Sequence, residues 1–269
     1  SSVLIRNFVS VGCGEREKRL YLFNSFDNEE SNDKKMLKIE EPQPLTPEQK
    51  LAKEKYESLP NGSVLLLWGV TGSGKTDVYL QIAANELSES RHCLILTPEI
   101  GLVPQLVDRF RKRFGLNVFE YHSNCSTKEK IETWKRALDI TKPSVFIGTR
   151  SAIFLPLSSL GLIVLDEEHD SSYKQESPMP CYHARELAIH RAKKIGAKVI
   201  LGTATPSLNV WKNLKPNGNI VVAKLTRRIS NRKLPTVSVV DMREELAIGN
   251  RSLISRYLKK QLLSISMVL

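Results

Sequence analysis

Gly69-Val70-Thr71-Gly72-Ser73-Gly74-Lys75-Thr76 is the stretch that decides how this chain folds. It fits the pattern G-x-x-x-x-G-K-[S/T], in which glycines let successive backbone N–H groups converge on an anion. Before it, residues 64–68 (Val-Leu-Leu-Leu-Trp) are a short apolar run that predicts a buried strand. After it, residues 77–84 predict a helix whose positive N-terminal end faces the anion. In such a loop Gly72, Ser73 and Gly74 wrap the phosphates of a nucleotide. Lys75 reaches the β- and γ-phosphates, and the Thr76 hydroxyl ligates Mg²⁺.

About ninety residues further on, the apolar residues 162–165 run into Asp166-Glu167-Glu168-His169. A carboxylate ending a hydrophobic strand is where a P-loop fold holds Mg²⁺, so Asp166 takes that role. Glu167 is placed to orient and deprotonate the water that attacks the γ-phosphate. Lys75 and Glu167 are thus the expected catalytic pair, with ATP and Mg²⁺ as cofactors.

From residue 64 onward, apolar strands alternate with helices. Strands are predicted at 93–96, 118–121, 145–147, 162–165 and 199–201, and helices at 102–114, 128–138 and 183–194. Near-continuous apolar strands separated by helices imply an α/β fold, a mostly parallel sheet covered on both faces. Thr46-Pro47-Glu48-Gln49 reads as a helix start, with Thr46 as N-cap, Pro47 at the first helical position and Gln49 closing a capping box. Past Pro206 the pattern loosens. Residues 220–222 and 237–240 are candidate strands, and 252–263 a helix with an apolar stripe. The expected organisation is a preceding remnant and linker at 1–44, with a strand at 20–23, a nucleotide-binding lobe at 45–210, and a further segment at 211–269.

With 269 residues and a hydrophobic fraction of 41%, the chain can bury a large core, and no apolar stretch approaches the ~20 residues of a membrane span. The net charge is +11, and from Pro206 to the end twelve lysines and arginines face three acids. That balance favours polyanionic partners, nucleic acid first and an anionic membrane surface second. Cys13, Cys93, Cys125 and Cys181 form no C-x-x-C pair, so they offer neither a disulfide framework nor a zinc site. A reducing compartment, the cytoplasm, is the plain expectation. The chain begins at Ser1 with no charged-then-apolar leader, which suggests a fragment or a trimmed product without a signal peptide.

The letters D-E-E-H, followed after the next strand by Gly202-Thr203-Ala204-Thr205-Pro206-Ser207, resemble helicase superfamily 2. There the P-loop, the DExH box and the S/T-A-T motif belong to the first of two RecA-like lobes. The resemblance narrows further through Pro98-Glu99-Ile100-Gly101-Leu102, Gly148-Thr149-Arg150-Ser151-Ala152-Ile153-Phe154, Asp166 to Gln175, and Tyr182-His183-Ala184-Arg185-Glu186. These segments are similar to the bacterial replication-restart helicases of the primosomal protein N′ family, over roughly residues 45–207. The resemblance implies a 3′→5′ DNA helicase that recognises stalled forks and works with replication-restart proteins. It implies that Thr203 and Thr205 link nucleotide state to DNA movement and that His169 contacts them. A buried structural histidine is the other reading of His169.

Residues 171–185 combine Tyr173, Lys174, Tyr182, His183 and Arg185, and the resemblance makes them an aromatic-rich loop that ties DNA contact to ATP hydrolysis. Aromatic faces stack on unpaired bases while neighbouring cations hold phosphates, which favours Tyr173 and Lys174, with Tyr182 structural. Thr149 and Arg150 suit a phosphodiester oxygen, or Arg150 an ion pair across the surface. Two roles are open to Gln49, reading the adenine edge or only closing its capping box. Trp134 and Trp211 read as packing residues.

The resemblance makes residues 211–269 the truncated start of a second helicase lobe and residues 1–44 the remnant of a preceding DNA-binding region. A complete family member would carry the whole second lobe with an arginine finger, and cysteine pairs for two zinc ions. The cysteines here have the wrong spacing for zinc. The chain is therefore expected to bind ATP and DNA but to hydrolyse poorly alone. A non-catalytic nucleic-acid-binding module with a vestigial nucleotide site is the alternative, and an RNA helicase a third reading.

Overall fold

A computed structural model describes residues 43–214, 220–229 and 237–266. The expected strand at 20–23 and linker at 27–41 lie outside the described residues. Helix α1 (Pro47–Ser58) starts as its sequence demands, with Thr46 Oγ1 accepting from Gln49 N and Gln49 Oε1 accepting from Thr46 N. There follow β1 (Val64–Gly69), α2 (Lys75–Ser88), β2 (His92–Leu96), α3 (Val103–Phe114), β3 (Val118–Tyr121), α4 (Thr127–Leu138), β4 (Val145–Gly148) and β5 (Leu160–Asp166). A small hairpin of β6 (Lys174–Gln175) and β7 (Tyr182–His183) leads into α5 (Ala184–Ile195), β8 (Lys198–Thr203), α6 (Leu208–Lys212) and β9 (Ile220–Leu225).

The large sheet has seven strands in the order β3-β4-β2-β5-β8-β1-β9, all pairs parallel. Side chains alternate across a strand, so each apolar run feeds two cores. Leu65, Leu67, Ile95, Val164 and Ile200 join one face with α1, α2 and α3. Leu66, Leu94, Leu96, Leu165 and Leu201 join the other with α4 and α5, where Ala184, Ala188 and Ala192 let the helix lie close to the sheet. Each fully buried aliphatic side chain contributes about 1.5–3 kcal/mol. The α/β class with a two-sided parallel sheet is what the sequence predicts.

Four details differ from the sequence reading. The helix after the P-loop begins at Lys75, two residues early, because Gly74 already supplies the turn. β9 pairs with β1 along its whole length, so the sheet takes in residues assigned above to a following lobe, and the compact units divide between Ser230 and Asn231. Residues 237–240 are not a strand. Val237 and Val239 are 82% and 93% exposed, since alternation permits a strand but only a paired edge forms one. Within that second unit, α7 (Met242–Ala247) is capped by Asp241, and α8 (Arg256–Ser266) starts later than predicted because Ser255 Oγ accepts from Leu258 N.

In the centre of the sheet, Asp166 of β5 stands beside Gly202 of β8, and Thr203 beside Trp68 of β1. Gly202 must be glycine for a steric reason. A Cβ there would lie 1.6 Å from the hydroxyl of buried Tyr79, which crosses the strand to reach Asp166. Gly202→Ala is expected to destabilise the fold by about 1–3 kcal/mol. Tyr79→Phe in the same chain should recover part of that loss, so a double-mutant cycle by urea denaturation checks it; additive losses would mean that the collision is relieved elsewhere.

Candidate nucleotide-binding site

The P-loop joins β1 to α2. Gly72 (φ 81°) and Gly74 (φ 78°) occupy the left-handed region that favours glycine, and a Cβ on Gly74 would lie 2.3 Å from both Gln49 Nε2 and Ile229 Cδ1. No side chain caps α2 at Gly74, so the first N–H groups of the helix are left for an outside acceptor. Ser73 Oγ is buried without a hydrogen-bond partner. Lys75, nearly buried, donates from Nζ to Gly69 O at 3.1 Å and lies 3.3 Å from Glu167 Oε1. An uncapped helix, an orphaned hydroxyl and a directed ammonium are the donor set that a polyphosphate needs, and Thr76 follows in the first helical turn.

The end of β5 brings the acids to this loop. Burial pushes the Asp166 carboxyl above the usual carboxylate range, opposed by the Tyr79 phenol, which donates to Oδ1 at 2.9 Å. The same burial, with Asp166 beside it, raises the Tyr79 phenol well above its ordinary value and keeps it a donor. Glu167 has φ 47°, a strained conformation for a non-glycine residue that costs of the order of 1–3 kcal/mol and recurs at functional sites. Its carboxylate lies between Lys75 and His169, whose Nδ1 is 3.7 Å from Oε2. His169 Nδ1 is also 2.8 Å from Thr203 Oγ1, and that oxygen accepts from Thr205 N at 3.1 Å. Lys75, Glu167, His169 and Thr203 therefore form one continuous chain of contacts. His169 is half-exposed rather than the buried histidine of the other reading.

Several residues stand elsewhere than the sequence suggests. Tyr173 is 0% exposed, and its hydroxyl lies 2.9 Å from Leu96 O and 2.6 Å from Asp166 O. Enclosed in this way the ring has no face to offer a base; it is a strut between the ends of β2 and β5. Arg185 is 3% exposed and holds buried Glu168 at 2.9 Å, so its guanidinium is spent inside the lobe rather than on a phosphodiester. Ser207 completes that cluster, donating from N to Glu168 Oε1 at 2.8 Å. Gln49 is 2% exposed and its amide is fully used, with Nε2 donating to Ser73 O and Gly74 O and Oε1 accepting from Thr46 N. It braces the P-loop and cannot present an edge to adenine in this arrangement.

Among the described residues Arg150 makes no surface ion pair. Its Nη1 donates to Ser172 O and Lys174 O, pinning the base of the β6–β7 hairpin, and it lies over the Tyr182 ring. Tyr182 packs edge-on against Phe154, a structural place as expected. Lys174 is exposed and paired with Glu176, and Thr205 is exposed beyond the sheet. Trp134 donates to the Tyr121 hydroxyl, and Trp211 meets Trp68 edge-on at 5.3 Å.

Glu168, Ser207 and Tyr79 escape sequence reasoning. The one sequence signal for Glu168 is that it is the third acid in a row after the apolar run, where two already fill the metal and water-activating roles. The Glu168–Arg185 pair is buried, and removing one partner of such a pair strands a charge. Arg185→Met is therefore expected to cost about 3–5 kcal/mol. Lys174→Ala, which breaks only a solvated pair, should leave the urea midpoint unchanged. Equal midpoints for the two variants would show that Ser207 alone satisfies Glu168.

A family model described as DEAD/DEAH box helicase matches residues 46–214. Replication restart protein PriA of Synechocystis sp. (strain ATCC 27184 / PCC 6803 / Kazusa) is 51% identical over 221 residues, covering 81% of this chain and 26% of that protein. Replication restart protein PriA of Bacillus subtilis (strain 168) is 47% identical over 231 residues, covering 85% of this chain and 28% of that protein. The chain thus spans about a quarter of the length of these curated relatives. The solved structure of RecG bound to a three-way DNA junction matches with a TM-score of 0.52 at 22% identity, over 72% of this chain and 25% of that one, a likeness of fold to a RecA-like helicase domain. The chain belongs to the DEAD/DEAH box helicase family, as a segment of the PriA type.

Proposed function

We propose that this chain is the ATP-binding first lobe of a 3′→5′ DNA helicase that acts in replication restart. One observation carries the reading: Lys75 at the uncapped start of α2 lies 3.3 Å from Glu167, which follows Asp166 at the end of β5. Gly72, Ser73, Gly74 and Lys75 would hold the phosphates, and Thr76 with Asp166 would hold Mg²⁺, which when bound withdraws charge from the γ-phosphate. Glu167 orients the attacking water and takes its proton at the carboxylate. Before nucleotide arrives, the Lys75 ammonium offsets the Glu167 charge; its transfer to the phosphates frees Glu167 to act as base. The strain stored at Glu167 and the uncapped helix favour this reading over a vestigial site.

DNA is the partner that supports the rest. RecG, which shares the fold, is solved on a DNA junction. Lys174 and the tip of the β6–β7 hairpin would meet the strand, with Thr149 beside it, while Arg150 pins the hairpin base. Displacement of that hairpin reaches Asp166 through the Tyr173 strut, and Thr203, Thr205 and His169 carry the complementary link from Glu167. Arg185 acts here as a positioning residue through Glu168 and Ser207. Among the described residues no group of three or more His, Cys, Asp or Glu could hold a metal, and no helix is long and apolar enough to cross a membrane. Work beside replication-restart proteins, in the cytoplasm, is part of this proposal and is supported by the family rather than by the site.

Until a partner lobe's cation, worth about 10³–10⁵ in rate for a comparable arginine finger, reaches the site, turnover by residues 1–269 alone should be slow. Fluorescent-ATP binding and phosphate release, with and without forked DNA, test the reading. The wild-type chain should bind, Lys75→Ala should lose binding, and Glu167→Gln should bind but lose about 10²–10⁴ of the residual hydrolysis. Undiminished binding by Lys75→Ala would make the site vestigial, and a preference for RNA duplexes over forks would make the chain an RNA helicase lobe.

A further inference from the structure

The residues that leave β9 do not run away from the nucleotide site; they lie along its rim. The Glu48 carboxylate in α1 accepts from Thr226 Oγ1 at 2.5 Å, from Thr226 N at 2.7 Å and from Arg227 N at 3.3 Å. These bonds, the one from the Thr226 hydroxyl foremost, hold the Glu48 carboxyl below its ordinary range. Three residues later, Ile229 N donates to Gly72 O at 3.1 Å, and the Ile229 Cδ1 fills the space outside Gly74. At the near end, Val70 N donates to Leu225 O at 3.2 Å. Residues 226–229 are thus a strap tied to α1 and to the P-loop itself.

Arg228 is the strap residue turned toward the loop. Its Cγ and Cδ lie 3.9 and 4.0 Å from where a Cβ on Gly72 would stand. The guanidinium is two bonds beyond Cδ. Arg228 is only part-exposed, and among the described residues it makes no ion pair or hydrogen bond. Other arginines next to the site have such partners, Arg109 with Asp77 and Arg185 with Glu168. A planar, permanently charged fork held beside an anion-binding loop with no carboxylate of its own matches phosphate oxygens.

We propose that Arg228 is a nucleotide-binding residue: the strap 226–229 walls one side of the site, and the Arg228 guanidinium binds the phosphate chain of a nucleoside triphosphate. Glu48 is its positioning residue, acting through Thr226 and Arg227. The proposal rests on the reading of the P-loop as a nucleotide site.

The test is fluorescent-ATP binding with Mg²⁺ to the full chain, with ATP, AMP and inorganic tripolyphosphate as competitors. Arg228→Ala should weaken ATP and tripolyphosphate alike by about ten- to hundredfold, the worth of a charge-assisted hydrogen bond, and leave AMP nearly unaffected. Glu48→Gln should weaken both by less, and Lys212→Ala, which removes an equal charge elsewhere, should change nothing. Thermal midpoints of Arg228→Ala and the wild type should agree. If Arg228→Ala binds as the wild type does while Lys75→Ala fails, the strap is only packing and the proposal falls. If Arg228→Ala weakens ATP but not tripolyphosphate, the guanidinium meets the base and the phosphate assignment is overturned. If the wild type binds no nucleotide, the P-loop reading fails first and takes the strap with it.

Discussion

Parallel pairing of β1, β8 and β5 in one register is the constraint on which everything else depends. It sets Asp166 beside Gly202 and Thr203 beside Trp68, so the three strand ends deliver the P-loop, the acidic turn and the threonine motif to one edge of the sheet. A slip of one residue would turn each apolar side chain to the opposite face and separate the carboxylates from the loop. The two cores above and below the sheet hold that register, because alternate residues of every central strand are buried on both sides.

Around that edge the fold carries costs that packing alone would not impose. Glu167 occupies a left-handed backbone position, Asp166 is half-buried beside a phenol, and Glu168 is a charge removed from water. Glu168 is tolerated because Arg185 and Ser207 satisfy it from two different elements, α5 and the turn after β8. A buried pair of this kind adds little net stability, since desolvation offsets the attraction. What it does is lock the acidic turn to the segment that contains Thr203 and Thr205. The hydrogen bond from Glu168 N to Gly202 O fastens the same turn to β8.

Gln49 and Tyr173 show how one residue type can serve two ends. An amide can read a base edge, and a tyrosine can stack on one, but only if the side chain reaches solvent. Both are instead internal struts, Gln49 under the glycines of the P-loop and Tyr173 between the ends of β2 and β5. The capping box that begins α1 places Gln49 and Glu48 side by side, one facing the P-loop and the other the strap after β9. A single helix start thus braces both walls of the site.

By itself the sequence determined the α/β class and, to within a few residues, the strands of the large sheet between residues 64 and 203 and the helices that cover it, and it singled out Lys75, Thr76, Asp166 and Glu167 as candidates. These are local matters: apolar periodicity decides the elements, and the P-loop and acidic turn each lie within one strand-to-turn segment. Only the tertiary structure decided that β9 belongs to this sheet, that residues 237–240 form no strand, and that Tyr173, Arg185 and Gln49 face inward. Burial and pairing are settled by what a residue meets across tens of positions, as Arg185 meets Ser207 and Glu48 meets Thr226. No periodicity along the chain encodes those partners; the sheet's register and the helices laid on it do.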